Sequence, residues 1–336
     1  MCREPSRVNA TDRVRPVTER LPPDADGIAR AASLLTSGQL VAFPTETVYG
    51  LGADGRNGRA VAALYTAKGR PSFNPLIAHL TGIDAARREG AFGPEAERLA
   101  AAFWPGPLTL VVPLAPGATT CDLARAGLAS IGLRVPSHPV AQAVLERCGC
   151  PIVAPSANRS GHVSATTAAH VLADLDGRID AVVMADPTEI GLESTIVACL
   201  GGTPTLLRPG GIARERIEAE IGPLRVGEDP SGSPLAPGNL ASHYAPAATV
   251  RLGATDVRDR EAVLLFGPHA PPGKDRAVST LNLSPTGDLV EAAANLFGHL
   301  RRLDASGAAS IAVVPVPEGG LGDAINDRLR RSAAAR

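Results

Sequence analysis

Lysine is nearly missing from this chain: of 33 basic residues, only Lys68 and Lys274 are not arginine. The skew points to a GC-rich genome. Each lysine is therefore either a chance survivor or a place where a compact, rotatable ammonium is needed and a planar guanidinium will not serve. An excess of one charge sign is missing too. The net charge is −1, with 20% charged and 44% hydrophobic residues, which excludes a strongly basic nucleic-acid coat, an acidic solvating tail and gross disorder but leaves room for a local basic patch. No apolar run approaches the roughly 18 residues of a membrane helix, so no membrane partner is expected. Met1 to Asp26 mixes arginines with Glu4, Asp12 and Glu19 and has no apolar block, unlike a signal peptide or an acid-free transit peptide. The five cysteines are scattered, with only Cys148-Gly-Cys150 close together and no Cys-x-x-Cys pair. They read as ordinary small residues in a reducing cytoplasm. The seven histidines include no i, i+4 pair, so no protein metal site is expected.

What is present is enough for about two domains in 336 residues. Apolar periodicity predicts helices near 26–37, 58–67, 94–103, 139–147 and 166–175. They alternate with short apolar strands at 40–43, 76–80, 108–112, 130–135, 152–154 and 181–184. That alternation predicts an α/β sheet covered by helices. Ser194–Leu200 and Thr203–Leu207 flank Gly201-Gly202 and read as a β-hairpin, so the sheet is expected to be mixed. The stretch 222–246 is rich in Pro, Gly and Ser and lacks hydrophobic period, as a linker does. A strand at 263–266, a helix at 287–303, a strand at 311–314 and a helix at 324–331 then make a smaller α/β unit. The expected division is a tail at 1–21 with no assignable role, a domain at 22–220, a linker at 221–246 and a second domain at 247–332.

Two phosphate-loop patterns carry little. Gly50-Leu-Gly52-Ala-Asp-Gly55 matches G-x-G-x-x-G, but too many residues separate it from the strand ending at Phe43, and the acidic partner downstream is missing. Gly267 to Lys274 is one residue too long for a P-loop, has Asp275 where Ser or Thr is required, and contains three prolines that remove amide donors.

Polar residues instead accumulate in loops that follow strands of the first domain, where α/β sheets hold ligands. These are Pro44 to Gly52, Lys68 to Leu76, Arg134 to Pro139, Pro155 to Gly161, Glu193-Ser194-Thr195 and Arg208 to Gly211. Any one alone is ordinary turn chemistry. Together, Lys68, Arg70, Arg134 and Arg208 with neighbouring hydroxyls and amides suit a polyphosphate plus a carboxylate.

These segments resemble the YrdC/Sua5 family. The likeness lies in Lys68-x-Arg70, Pro-Thr-Glu-Thr-Val-Tyr-Gly-Leu-Gly at 44–52, Arg70-Pro-x-x-Asn74-Pro-Leu, Trp104-Pro-Gly-Pro-Leu-Thr109 and Pro155-Ser-Ala-Asn158-x-Ser-Gly. The later Ala236-Pro-Gly238 and His243-Tyr244-Ala-Pro246 are similar to the two-domain Sua5 type. The resemblance covers about residues 25 to 330. It implies a YrdC-like mixed, twisted sheet with helices, followed by a smaller Rossmann-like α/β domain.

The resemblance also implies a nucleotidyltransferase, an L-threonylcarbamoyladenylate synthase. Such an enzyme joins L-threonine, bicarbonate or CO2 and ATP into threonylcarbamoyl-AMP and pyrophosphate. A downstream tRNA threonylcarbamoyl transferase complex then uses the adduct at position 37 of tRNA. Mg²⁺ accompanies the ATP, and weak RNA contact is a further expectation. Carried over by position, Lys68 and Arg70 are the catalytic pair, with Lys68 near the phosphates. Thr47, His79, Arg134, the backbone at Ala154 and Ser194 hold threonine, with Arg134 clamping its carboxylate. Arg70, Asn74, Ser130, Ser156, Asn158, Ser164, Arg208 and Tyr244 hold ATP. Tyr244 reaches back from the linker as part of a lid that shields the labile product.

The chain departs from the family pattern at Ala185-Asp-Pro-Thr-Glu189, at Ala198 and at Asn239-Leu240-Ala241, which touches loop shape more than the main clusters. Two rival readings are a double-stranded RNA-binding module gripping phosphates with the same cations and a carbamoyltransferase that handles carbamoyl-adenylate. Proteins of the latter kind carry acylphosphatase and zinc-finger segments that this chain lacks. A purely regulatory nucleotide or amino-acid sensor is a third.

Overall fold

The computed structural model describes residues 17–227 and 244–334. Among them, eleven strands form one sheet: β1 (Glu19–Leu21), β2 (Val41–Phe43), β3 (Gly50–Asp54), β4 (Ile77–His79), β5 (Leu108–Pro113), β6 (Ser130–Arg134), β7 (Ile152–Val153), β8 (Ala181–Val183), β9 (Thr195–Ala198), β10 (Thr205–Arg208) and β11 (Arg225–Val226). Their order across the sheet is β1-β8-β2-β3-β7-β4-β6-β5-β9-β10-β11. The sheet is mixed, as expected: β4 runs parallel to β6, β7 runs antiparallel to both β3 and β4, and β9 and β10 form the antiparallel hairpin around Gly201-Gly202.

Helices α1 (Ala25–Thr36), α2 (Gly58–Lys68), α3 (Ile83–Glu89), α4 (Pro94–Phe103), α5 (Pro139–Cys148), α6 (Ala168–Leu175) and α7 (Arg214–Ile221) complete this unit. Local chemistry sets the start of several. The side chains of Asp24, Asn57, His138 and Thr167 each accept a first-turn N–H, which satisfies amides that have no partner inside the helix. Gly69 ends α2 in the left-handed conformation at φ 60° and so aims Arg70 back toward the sheet.

A second sheet has the order β12-β15-β13-β14 and is wholly parallel, built from β12 (Thr249–Arg251), β13 (Glu261–Leu265), β14 (Thr280–Asn282) and β15 (Ser310–Val313). It carries α8 (Leu289–Asp304) and α9 (Gly322–Ala333). Its core takes in Leu296, Phe297, Leu300 and Ile325 together with Tyr244. Val48, Val163 and Leu192, from three loops of the first unit, belong to the same apolar cluster. The two units therefore share a core at their junction.

Several elements differ from the reading of the sequence. Glu19–Leu21, the last residues of the segment taken as a tail, form an edge strand paired in parallel with β8. The glycine pattern at 50–55 is mostly strand: β3 is buried throughout, and a Cβ at Gly52 would lie 2.7 Å from the Phe43 ring, so the glycine serves close strand packing and not a phosphate turn. The lid residues 236–243 lie outside the described residues, and Tyr244 is the first described residue after them.

Candidate active site

Strand register brings the chemistry together. His79 closes β4 and Arg134 closes β6, and the two are paired neighbours across parallel strands, so both side chains point from the same face at the same level. Ala154, Pro155 and Ser156 follow β7, Ser194 precedes β9, and Arg208 ends β10 after an irregularity in register between Leu206 and Arg208. These residues, with Val48, Arg70, Ile77, Glu193 and Tyr244, line one cavity of about 50 Å³.

Its polar groups are buried and unevenly satisfied. Arg134 donates from Nη2 to Glu46 Oε1 at 2.7 Å, and Glu46 Oε2 also accepts from Ser137 N at 3.2 Å. Arg208 donates from Nη2 to the Ser194 carbonyl at 2.8 Å and to Ser194 Oγ at 3.2 Å. Arg70 reaches the Asn74 and Pro75 carbonyls, at 3.4 and 3.3 Å. The Nε atoms of Arg70 and Arg134 and the Oδ1 atoms of Asn74 and Asn158 are buried without a partner among the described residues. Burial, with Arg208 adding repulsion, pushes the Arg70 guanidinium down to about 10. Burial and then Arg134 push the His79 imidazole down to about 3, so this ring is neutral. Buried cations with N–H groups left over fit an anion with several oxygens.

Of the residues expected to act, Arg70, His79, Arg134, Ala154, Ser156, Ser194, Arg208 and Tyr244 line the cavity. Others do not. Lys68 turns beneath the loop that follows β7, where its Nζ donates to the Ser156 carbonyl at 2.6 Å and to that of Asn158. Burial drives its ammonium well below the usual value. Asn158 braces the same loop by donating from Nδ2 to the Arg159 and His162 carbonyls. Thr47 Oγ1 is 2.8 Å from Thr45 Oγ1 within the loop between β2 and β3. Ser164 donates to Glu193 Oε1 at 2.5 Å. Asn74 holds its place by accepting at its carbonyl from Tyr65 Oη at 3.0 Å. Ser130 begins β6, whose far end carries Arg134, so four strand steps, roughly 13 Å of backbone, separate the two. It lines a smaller pocket beside Thr109 and Arg125.

Sequence reasoning passed over two acids. Glu46 and Glu193 lie inside the loop motifs, and the signal that marks them is an acid embedded among short apolar strands and cations. A third residue, Arg328, had no local signal at all. A larger groove of about 910 Å³, lined in part by Arg56, Arg87, Arg88 and Cys150, lies elsewhere. Arg56 is bound to Asp54, and Arg87 to Asp84 and Glu97. None of the unpartnered buried polar atoms of the described residues lines that groove.

Residues 33–210 match the Sua5/YciO/YrdC family model, described as telomere recombination, and residues 212–334 match the model described as the threonylcarbamoyl-AMP synthase C-terminal domain. The threonylcarbamoyl-AMP synthase of Bacillus subtilis is 41% identical over 339 residues, covering 95% of this chain and 96% of that protein. The enzyme of the same name from Pyrococcus abyssi is 40% identical over 320 residues, covering 91% and 94%. The crystal structure of P. abyssi Sua5 complexed with L-threonine superposes with a TM-score of 0.85 at 36% identity, covering 94% of this chain and 97% of that one. The chain whose arginines ring this cavity belongs to the two-domain Sua5 family of threonylcarbamoyl-AMP synthases.

Proposed function

We propose that the chain condenses L-threonine, bicarbonate or CO2 and ATP into L-threonylcarbamoyladenylate and pyrophosphate. The observation that carries this is the set of buried guanidiniums of Arg70, Arg134 and Arg208 around one cavity, with the Nε groups of Arg70 and Arg134 unpartnered among the described residues. In the reaction the threonine amine adds to CO2 and loses a proton to give a carbamate. A carbamate oxygen then attacks the α-phosphorus as the bond to pyrophosphate breaks. Two anions must be held against each other, which fixed cations in a dry site do well.

In this reading Arg134 takes the threonine carboxylate, exchanging it for Glu46, while neutral His79 and Ser194 border the amino acid. Arg70 and Arg208 take phosphate oxygens, and Ser156 and Asn74 complete the nucleotide side. Lys68 acts through the loop of residues 155–160, which it holds by two carbonyls. Mg²⁺ enters as the counter-ion of ATP: no group of three or more metal-ligating side chains occurs among the described residues. Glu46 and Glu193 are already engaged with arginines.

A nucleotide and an amino acid need several hundred Å³, against the 50 Å³ between these side chains. Binding therefore requires the cavity to open; in this reading Tyr244 moves with a linker at 221–246 acting as a lid between a catalytic unit at 22–220 and a second unit at 247–332. The duplex-RNA reading draws no support from Arg70, Arg134 and Arg208, since groups at most 9% exposed cannot grip a phosphate backbone. No described helix is long and apolar enough to cross a membrane. The proposed setting is the cytoplasm, where a tRNA threonylcarbamoyl transferase complex takes the product.

The test is mass-spectrometric detection of the adenylate after incubation with labelled bicarbonate, threonine and Mg-ATP. ATP consumption that is indifferent to threonine, with no labelled adduct, overturns the proposal.

A further inference from the structure

Strand β5 puts a second hydroxyl behind Ser194. Thr109 is fully buried, and its Oγ1 lies 2.7 Å from Ser194 Oγ. The contact follows from register: β5 runs parallel to β9, with Leu108 opposite Thr195 and Thr109 opposite Ile196. On its other side β5 meets β6. There the Thr109 methyl faces the space left by Gly132, where a Cβ would stand 3.7 Å from it. A β-branched side chain has few χ1 choices, so a methyl turned to β6 leaves the hydroxyl turned to β9.

The backbone around Ser194 is pinned. The Glu193 carbonyl accepts from Gly211 N at 3.0 Å, Thr195 N donates to the Pro107 carbonyl at 3.0 Å, and Thr195 Oγ1 exchanges hydrogen bonds with the backbone of Ile212. The Glu193 carboxylate is held from two sides, by Ser164 Oγ at 2.5 Å and by Nε of Arg328, from α9, at 3.0 Å. What is left to settle is the rotation of the Ser194 hydroxyl at the cavity wall.

The hydroxyl protons have one consistent arrangement. A hydroxyl carries one proton and two lone pairs. Thr109 Oγ1 has no hydrogen-bond partner but Ser194 among the described residues, and the pocket beside it, about 10 Å³, is at the lower limit for one water. Were Thr109 to accept, its own proton would be buried without an acceptor, the costly way to leave a hydrogen bond unmade. Thr109 therefore donates. Arg208 Nη2 also donates to Ser194 Oγ, at 3.2 Å. Both lone pairs of the serine oxygen are then taken, and its proton is what remains to face the cavity.

We propose that Thr109 is a positioning residue that fixes the Ser194 hydroxyl as a hydrogen-bond donor into the cavity, serving an oxygen of the bound amino acid and not its ammonium. This rests on the synthase reading above, in which Ser194 borders threonine. Thr109 itself touches no substrate and acts through Ser194.

The experiment uses the full chain with Thr109→Val, Thr109→Ser, Ser194→Ala and the double variant Thr109→Val/Ser194→Ala. Threonine affinity is measured by calorimetry, alongside KM for threonine and for ATP. Thr109→Val, which keeps the shape and removes the donor, is expected to weaken threonine binding about fivefold, with KM for ATP within about twofold. Thr109→Ser, which keeps the donor, should retain most of the affinity. The double variant should bind threonine no more weakly than Ser194→Ala, because the threonine side chain at 109 has no other route to the substrate. A merely structural residue would give losses that add and would not be rescued by serine. Unchanged threonine affinity in Thr109→Val, equal losses for both substrates, no rescue in Thr109→Ser, or additive losses in the double variant overturns the proposal. If Thr109→Val does not fold, Thr109→Ala takes its place in the cycle. A wild type that binds threonine with this pattern of variants but forms no adduct would overturn the synthase reading and leave this one standing. Adduct formation without the pattern would do the reverse.

Discussion

Arg134 and Glu46 form a buried ion pair beside the cavity, Nη2 to Oε1 at 2.7 Å, with both side chains 5% exposed. The guanidinium expected to clamp a threonine carboxylate is thus already held by a carboxylate of the protein. The internal acid pairs and aims the buried cation, and in the proposed reading a substrate acid takes its place. Arg134→Ala should raise KM for threonine at least about tenfold while KM for ATP stays within a factor of about two. It should also cost about 3 kcal/mol of stability, because Glu46 is left buried and unpaired. Adding Glu46→Gln should restore the stability, read by urea unfolding, but not the use of threonine. Comparable losses for both substrates would contradict the assignment.

Lys68 separates a loop-holding role from a phosphate contact. Lys68→Met removes the ammonium from the Ser156 and Asn158 carbonyls, of which Ser156 keeps only the Asn158 N–H among the described residues, and the expected cost is about 3 kcal/mol. Lys68→Arg should not rescue it, since a planar guanidinium cannot replace an ammonium set under two carbonyls. Chemical denaturation measures the first effect. ATP-analogue affinity should fall less in Lys68→Met than in Arg70→Ala.

His79 gives a pH test. The free imidazole titrates at 6.5 and the folded one at about 3. Between these values the unfolded chain binds a proton that the folded chain refuses. The stability contributed by the neutral ring is complete above pH 6.5 and is lost as the pH falls toward 3. Melting temperature should drop more steeply below pH 6.5 in the wild type than in His79→Gln. The pH profile of kcat should show no step near 6.5 from this residue.

Gly210 lies where two backbones meet. A Cβ there would stand 2.4 Å from both the Glu193 carbonyl oxygen and Thr195 N, a clash that only movement of the Glu-Ser-Thr segment can relieve. Gly210→Ala should cost about 2 kcal/mol and raise KM for ATP, since Arg208 and Ser194 are displaced together. Gly211→Ala, whose nearest contacts are side-chain atoms at 3.1 Å, should be milder. Thermal melting and ATP titration of the two variants provide the comparison.

Much of the architecture was legible in the chain. Apolar periodicity announced α2, α4 and α5, and glycines at 201 and 202 announced the hairpin of β9 and β10. What escaped was short or disguised. Strand β3 is glycine-rich enough to resemble a nucleotide loop, α3 spans seven mostly polar residues, and β12 and β14 are three-residue strands on the outside of their sheet. Such segments get their form from neighbours, not from their own periodicity.

The same division runs through the site. The identities of Arg70, His79, Arg134, Ser194 and Arg208, and their position at strand and helix ends, were set by local sequence, because caps, turns and apolar runs act over a few residues. Tertiary structure alone decided that Lys68 supports a loop, that Ser130 stands at the opposite end of β6 from Arg134, and that Arg328 meets a glutamate 135 positions earlier in the chain. Those outcomes depend on strand register and on the docking of two sheets. Both are fixed by burial summed over the whole molecule and leave no mark in the residues nearby.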